Sequence, residues 1–393
     1  ILPDGPPSMS LTGVNFVAWL LIAASAVGCL YLGASVLAVR RLLATRPGAP
    51  ASQPGISVLK PLCGEDVGLA ENLRSFCRQE HPRYQIVFGV RDEDDPAIPV
   101  ARRVMAEFPD VDHALVVDRR QRGRNLKVAN LHNMLPAARH PILVLADSDM
   151  RVGPDYLARV TAPLDVPDVG LVTCLYRGIP ADGLWSQLGC LHVNHGFLPQ
   201  AALAGAIGAG DGSFGATIAL RRETLDRIGG FAAIEDALAD DHALGAAVRR
   251  SGGAIVLSSY LVDNIIAEAS LGALFRHEMR WARTVRLVAP WGFAGSILTQ
   301  PVALALLAVA LGVLPIAAPA MLVLALLCRC AAVRRVDRTL GLEPSSLVLV
   351  PFRDLLSFAI FVASFFARKV AWRDRIFRIG SDGEMTLDGD RPA

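Results

Sequence analysis

The run from Phe16 to Val39 holds 24 residues without a charge, and no other feature limits this chain's architecture as strongly. A helix of that length is roughly 36 Å long, enough to cross a bilayer with some tilt. The run exceeds a signal-peptide core, and no small-residue cleavage site is evident. Asp4 precedes it, while Arg40, Arg41 and Arg46 follow it directly. Positive charge collects on the cytoplasmic side, so a membrane helix is predicted over 14–41, with the following body in the cytoplasm of a bacterial inner-membrane protein.

Two further apolar blocks lie near the other end. Ile297 to Ala332 is interrupted by Pro315 and Pro319 and contains Arg329. It is too long for one helix, and two membrane helices are expected over 294–333. Ser346 to Ala367 contains Arg353-Asp354 near its middle, and an isolated charge there is costly in lipid. The segment 346–367 is therefore re-entrant, interfacial or transmembrane. A full span would export Arg368, Lys369, Arg373, Arg375 and Arg378, against the charge bias. The expectation is a re-entrant or interfacial segment followed by a basic cytoplasmic tail, 368–393. Residues 46–54 read as a Pro/Ala linker.

With 52% hydrophobic residues and a net charge of +2, no nucleic-acid partner is expected. The seven cysteines form no CxxC pair and no His/Cys cluster, which argues against a zinc site or disulfide framework. Free thiols are expected in a reducing cytoplasm.

Between 55 and 269 strands and helices alternate. Strands are read at Ile56–Leu59, Tyr84–Val90, His113–Val117 and Pro141–Ala146, with helices at Gly68–Glu80, Ala97–Phe108 and Leu126–Arg139. This βαβα order predicts a mostly parallel sheet covered by helices, with ligands at the C-terminal strand ends. The last of these strands ends in Asp147-Ser148-Asp149. Paired carboxylates there can hold a hard divalent cation against phosphate oxygens. The plainer reading is a strand followed by a helix cap.

Other polar groups fall on the same edge. Lys60 follows the first strand and Asp92 the second, where a carboxylate could accept from a nucleobase or ribose. Asp95 before Pro96 reads as a helix cap. Arg122-Gly123-Arg124-Asn125-Leu126-Lys127 is either a phosphate-suited helix start or a solvated basic loop. The GxGxxG spacing at Gly210–Gly215 precedes a strand-like run instead of opening a helix after a strand, so it does not read as a dinucleotide fingerprint, and no GxxxxGK[ST] phosphate loop occurs in the body. The glycine-rich run Gly205–Gly215 reads as a lid or acceptor gate. Asp240 and Asp241 open a helix, Asp240 as its natural cap and Asp241 as a candidate base. Over 270–293, Arg276, Arg280, Arg283 and Arg286 share most of one helical stripe with apolar residues between them. That reads as an interfacial amphipathic helix, or as one directing His277, Arg280 and Trp281 into the site.

Together these motifs resemble the inverting GT-A glycosyltransferases, specifically the ceramide glucosyltransferase family with its (Q/R)xxRW signature. Val58-Leu59-Lys60-Pro61-Leu62, Asp92 with Asp94-Asp95-Pro96-Ala97-Ile98, Lys127, Asp147-Ser148, Asp241 and Arg280-Trp281 match in order and spacing over roughly residues 55 to 290. Cys63-Gly64, Val172–Gly178, Phe214–Leu220 and Arg276-His277-Glu278 are similar to a bacterial hopanoid-biosynthesis branch. The resemblance implies a Rossmann-like GT-A α/β domain flanked by transmembrane helices, and a UDP-sugar donor. It implies N-acetylglucosamine transfer to a hopanoid lipid, with glucose transfer to ceramide, a sphingolipid, as the close rival. A processive polysaccharide synthase is more distant, because few hydrophobic segments are available for a channel.

Residue roles follow from the same resemblance. Asp92 would hold uridine, while Lys60 and Lys127 would contact the donor. Asp147 and Asp149 would face the ribose and a Mg²⁺ or Mn²⁺ ion on the diphosphate. Asp241 would be the general base, His195 would lie near the acceptor, and His277, Arg280 and Trp281 would close the donor site. His277 departs from the signature, standing where Gln or Arg is usual.

Overall fold

The computed structural model describes residues 11–45, 53–209 and 212–366, together with the backbones of three short strands within 370–387. Expectations for Asp4, for linker positions 46–52 and for Arg368, Lys369 and Arg373 lie outside the described residues. The chain divides into two compact units. One is residues 40–276 with the terminal strands, and the other combines the first 39 positions with 277–367.

Helix α1, Leu11–Ala44, opens the described chain. The larger unit then runs through β1 (Ile56–Pro61), α2 (Leu69–Cys77), β2 (Tyr84–Val90), α3 (Ala97–Glu107), β3 (Asp112–Val117), α4 (Leu126–Met134) and β4 (Ile142–Ala146). After β5 (Met150–Arg151), α5 (Tyr156–Thr161) and β6 (Val169–Pro180) come α6 (Gly183–His192) and α7 (Leu198–Ala206). Strand β7 (Thr217–Arg221), α8 (Arg222–Arg227), α9 (Asp240–Arg250) and β8 (Ala254–Ile266) complete it.

These strands form one eight-stranded sheet in the order β3-β2-β1-β4-β7-β6-β8-β5. Strands β3, β2, β1 and β4 are parallel, and β6 and β8 are parallel to each other. Strand β7 lies antiparallel between β4 and β6, and β5 is antiparallel to β8. The expected mostly parallel sheet is thus present, with β7 inserted the other way. That reversal matters for the site, because β7 begins at the edge where β4 ends: Thr217 pairs with Ala146.

Alternation along the strands builds two cores, one on each sheet face. Ile56, Val58, Ile86, Phe88, Ile142 and Val144 pack with Leu73 and Phe76 of α2 and with Val160 of α5. Leu59, Val87, Leu143 and Leu145 point the other way, onto Val128 and Leu131 of α4 and Leu244 and Val248 of α9. Helices on both faces explain why β4 reads as an uninterrupted apolar run. From β1 the chain moves outward to β2 and β3, then returns to place β4 on β1's other side. Connections leaving β1 and β4 therefore diverge, and a crevice opens above their C-terminal ends.

The smaller unit begins within α10 (Leu271–Val288), followed by α11 (Pro290–Gly295), α12 (Pro301–Ala310), α13 (Ala317–Leu340) and α14 (Leu349–Phe366). Among the described residues three helices, α1, α13 and α14, are long and apolar enough to cross a membrane. The first of the two helices expected over 294–333 is different: residues 290–299 and 301–310 bend by 68° at Gln300-Pro301. Helix α12 alone, ten residues and roughly 15 Å, is too short to cross. Helix α1 packs onto this bend, with Ser25 Oγ donating to Pro301 O at 2.8 Å. Only glycine fits at Gly28, where an added Cβ would lie 2.5 Å from Leu298 O.

Helix α14 is unbroken over 18 residues, so the chain does not turn back within it. Its two mid-helix charges each take a partner from another helix. Arg353 donates to Glu278 of α10 through both terminal nitrogens, at 2.7 Å each. Asp354 accepts from Arg329 of α13 at 3.0 and 3.1 Å. All four residues are less than 10% exposed. The three terminal strands, β9 (Val370–Trp372), β10 (Arg375–Ile379) and β11 (Met385–Leu387), form a small antiparallel sheet.

Candidate active site

The crevice above β1 and β4 collects the carboxylates. Directly after β4 the chain turns, with Met150 N donating to Asp147 O at 3.3 Å, and enters β5. Met150 pairs with Asn264 of β8, and Asn264 Nδ2 donates to Asp149 Oδ2 at 2.8 Å. Asp147 faces the other way, its Oδ1 at 2.7 Å from Lys127 Nζ. Lys127 sits in the first turn of α4, whose cap is Asn125; the Asn125 side chain accepts from Lys127 N and Val128 N.

Across the crevice stands α9. Asp241 Oδ2 accepts from Gly215 N at 2.9 Å and its Oδ1 from His242 N at 2.8 Å. A methyl group placed on Gly215 would lie 3.4 Å from Asp241 Oδ2, 3.4 Å from Lys127 Nζ and 3.5 Å from Asp147 Oδ2. The three charged groups thus converge around Gly215, two residues before β7. Asp240 is not the cap expected from sequence. The cap position is Ala239, and the Asp240 carboxylate instead lies 3.2 Å from Lys127 Nζ. An ammonium from another helix outcompetes the local backbone for that carboxylate.

Burial acts on this cluster with opposite sign on its acids and bases. Desolvation, then repulsion from Asp147, pushes Asp149 up to about 6. Desolvation, then Asp240, pushes Asp241 up to about 6 against the attraction of Lys127. Lys127 also loses hydration, but Asp147, Asp240 and Asp241 outweigh that loss and hold it above the usual lysine range. Lys60 goes the other way: burial pulls it down to about 7 despite Asp149, Asp147 and Asp66. It is fully buried, lies 3.9 Å from the Phe76 ring centroid and donates to the Asp147 carbonyl. Lys60 thus supports the motif from beneath, and a direct donor contact would require it to leave that position.

The donor set suits a hard cation only in part. Among the described residues no three His, Cys, Asp or Glu side chains assemble as a metal cage. Asp147 and Asp149 can supply the one or two carboxylates that Mg²⁺ uses beside substrate phosphates. The residues present fit a cation completed by a ligand's diphosphate, and do not fit an all-protein site.

The remaining predicted residues are more scattered. Asp92 follows β2 at the crevice rim, its side chain 46% exposed and 3.4 Å from Arg119. Asp95 caps α3 by accepting from Ala97 N at 2.8 Å, and also accepts from Gly64 N. Arg124 and Asn125 dock through their backbone on Glu235 O, so the basic stretch is a braced helix start. His195 is 4% exposed within a π-helical turn, Val193–Phe197. Gly210 and Asp211 lie outside the described residues, but Ser213 and Gly215 both bind Asp241, so that end of the glycine-rich run is anchored. His277, Arg280 and Trp281 lie on the smaller unit's part of α10, where His277 meets Trp281 edge-on at 4.5 Å. Sequence reading missed Asn264 and Gly215, whose contacts depend on strand pairing.

The profile of Glycosyl transferase family 21 matches residues 20–385. The chain belongs to that family. This family 21 chain is 27% identical over 237 residues to ceramide glucosyltransferase 3 of Caenorhabditis elegans, covering 59% of this chain and 50% of that protein. Ceramide glucosyltransferase of Komagataella phaffii is 30% identical over 114 residues, 28% of this chain and 22% of the other. The chain spans about half the length, or less, of these curated relatives. Among solved structures it is similar to mannosyltransferase PcManGT from Pyrobaculum calidifontis, solved with GDP-Man and Mn²⁺. The TM-score is 0.52 at 20% identity, covering 88% of this chain and 98% of that one. The GT-A-like fold and the ceramide glucosyltransferase-like family are as the sequence implied.

Proposed function

We propose that the chain is an inverting membrane glycosyltransferase that moves a sugar from a UDP-sugar to a hydroxyl of a membrane lipid. The observation that carries this reading is the convergence of Asp241, Lys127 and Asp147 around Gly215, beside Asp149. Asp147 and Asp149 would hold a divalent cation, which when bound would neutralise charge on the departing UDP. Lys127 adds a fixed positive charge on the same side. Asp92 takes the uridine end, and the α10 residues His277, Arg280 and Trp281 act on the donor, as the family signature implies. Asp241 removes the proton from the acceptor hydroxyl. Its oxygen then bonds to the anomeric carbon as the bond to UDP breaks on the opposite face, converting α to β.

For the finer assignment we propose N-acetylglucosamine as the sugar and a hopanoid as the lipid, with His195 near the acceptor. Cys63-Gly64, Val172–Gly178 and Arg276-His277-Glu278 support that branch. Glucose and ceramide are the second reading, supported by the names of the curated relatives. Membranes carrying the chain, given labelled UDP-glucose or UDP-N-acetylglucosamine with ceramide or a hopanoid polyol, separate the two. Labelled hopanoid from UDP-N-acetylglucosamine is expected. Labelled ceramide alone would select the second reading, and no UDP-sugar turnover with any pair would overturn both.

The catalytic unit is proposed to face the cytoplasm of a bacterial inner membrane, and the terminal strands, which group with it, to lie on the same side. Partnered charges at Arg353 and Asp354 remove the objection to α14 crossing. A re-entrant 290–310 followed by an α13–α14 hairpin then returns the basic tail to the cytoplasm, in place of the re-entrant or interfacial 346–367 expected from sequence. A Glu343→Cys label in a Cys63→Ser background tests it. Modification by an impermeant thiol reagent from outside is expected, and protection until the membrane is opened would restore the earlier topology.

A further inference from the structure

Three aromatic rings gather at the segment whose Ser213 and Gly215 bind Asp241, and none of the three is fully buried. Phe76, Phe88 and Phe231 are at most 1% exposed, whereas Tyr176, Phe197 and Phe214 are only partly buried. Phe197 stacks on Tyr176 with centroids 4.8 Å apart, and meets Phe214 edge-on at 5.5 Å.

Phe214 is tied to the base. Its neighbours Ser213 and Gly215 both donate to Asp241, at 2.5 and 2.9 Å. Thr173 of β6 accepts from Phe214 N at 2.7 Å and donates to its carbonyl at 3.0 Å. Phe197 ends the π-helical turn between α6 and α7, a wide turn of a kind found frequently at functional sites. Asn194 in that turn clamps both the N–H and the carbonyl of Gly178 on β6, at 2.7 and 2.9 Å. The rings are thus held on rigid supports. Tyr176 adds a polar atom: its hydroxyl has no hydrogen-bond partner among the described residues, yet it feels the charges of Asp149, Asp241 and Asp147. It remains a protonated donor, because burial and then those carboxylates hold the phenol well above the usual tyrosine range.

We propose that Tyr176, Phe197 and Phe214 form the acceptor subsite, built for a lipid that carries a second hydroxyl beside the one that is glycosylated. The attacking hydroxyl faces Asp241, the neighbouring one accepts from Tyr176, and the apolar body lies along Phe197 and Phe214. The subsite rests on the assignment of Asp241 as base. A site made to hydrogen-bond a hydroxyl discriminates against the analogue lacking it, because its own polar group is then left unpaired. One neutral hydrogen bond corresponds to roughly a tenfold preference.

The test uses the full chain in mixed micelles with labelled UDP-glucose and UDP-N-acetylglucosamine supplied together. The acceptors are a sixteen-carbon vicinal diol and the matching primary alcohol. Wild type is expected to favour the diol by roughly tenfold in kcat/KM. Tyr176→Phe keeps the ring stack and should erase that preference with the donor KM unchanged, while Phe197→Leu should raise KM for both lipids. Equal use of the two lipids by wild type, use of neither, or a Tyr176→Phe change confined to the donor KM would overturn the subsite. Retained activity in Asp241→Asn would instead remove the base assignment, and is read separately.

Discussion

Two clusters of charge in this molecule, one between helices and one in the crevice, are built on different rules. In the smaller unit four buried charges pair one to one: Glu278 with Arg353, and Arg329 with Asp354. In the crevice, the four acids Asp147, Asp149, Asp240 and Asp241 face the two lysines Lys60 and Lys127. The first cluster is balanced and the second keeps negative charge in excess. Burial, and then the like charges, push two of its acids up to about 6. Balance suits a device that holds helices together, whereas surplus charge in a crevice suits a site completed by cations and substrate.

The largest expected effect is on catalysis. Asp241→Asn keeps the shape and removes the proposed proton acceptor, so kcat should fall by roughly 10²–10⁴ with donor affinity little changed. Steady-state kinetics on the solubilised chain checks this. An unchanged kcat would remove the distinction between Asp241 and its structural neighbours.

Breaking the balanced cluster should act on stability. Arg353→Ala leaves Glu278 buried without its partner, at a cost of about 3–5 kcal/mol. A lowered melting temperature in detergent is expected. Replacing both Glu278 and Arg353 by Met should restore most of the loss, because an apolar pair carries no desolvation penalty. Equal losses in the single and double variants would contradict a purely pairwise role.

A smaller effect concerns pH. As the proposed base, Asp241 must be ionised, and with its carboxyl at about 6, kcat should fall about tenfold per unit below that pH and level off above it. Asp240→Asn removes the like charge beside Asp241, so the acid limb should move downward with kcat at neutral pH little affected. Lys127 and the Gly215 and His242 N–H groups also face this carboxylate, and they are unchanged in the variant. An acid limb that stays in place would place its origin elsewhere.

What could be read from sequence follows the range over which each signal acts. The β1–α2–β2–α3–β3–α4–β4 order was legible because strand alternation and short apolar runs are local. The Asp95 cap was legible for the same reason, as its partner Ala97 N lies two residues away. Asp240 misled because a helix-start acid looks like a cap until Lys127 is brought against it. The partners of Arg353 and Asp354 were out of reach, Glu278 and Arg329 lying 75 and 25 positions away. Asn264 lies 115 positions from Asp149, and only the β5–β8 register brings them together.

Thermal unfolding of Asp149→Asn compares the two clusters most directly. If the crevice acids are held for ligand at the expense of stability, relieving their repulsion should leave the ligand-free melting temperature equal to or above wild type. The rise that Mn²⁺ and UDP-sugar together give the wild-type chain should vanish in the variant. A ligand-free melting temperature that drops as in Arg353→Ala, with the Mn²⁺ and UDP-sugar response intact, would contradict the account.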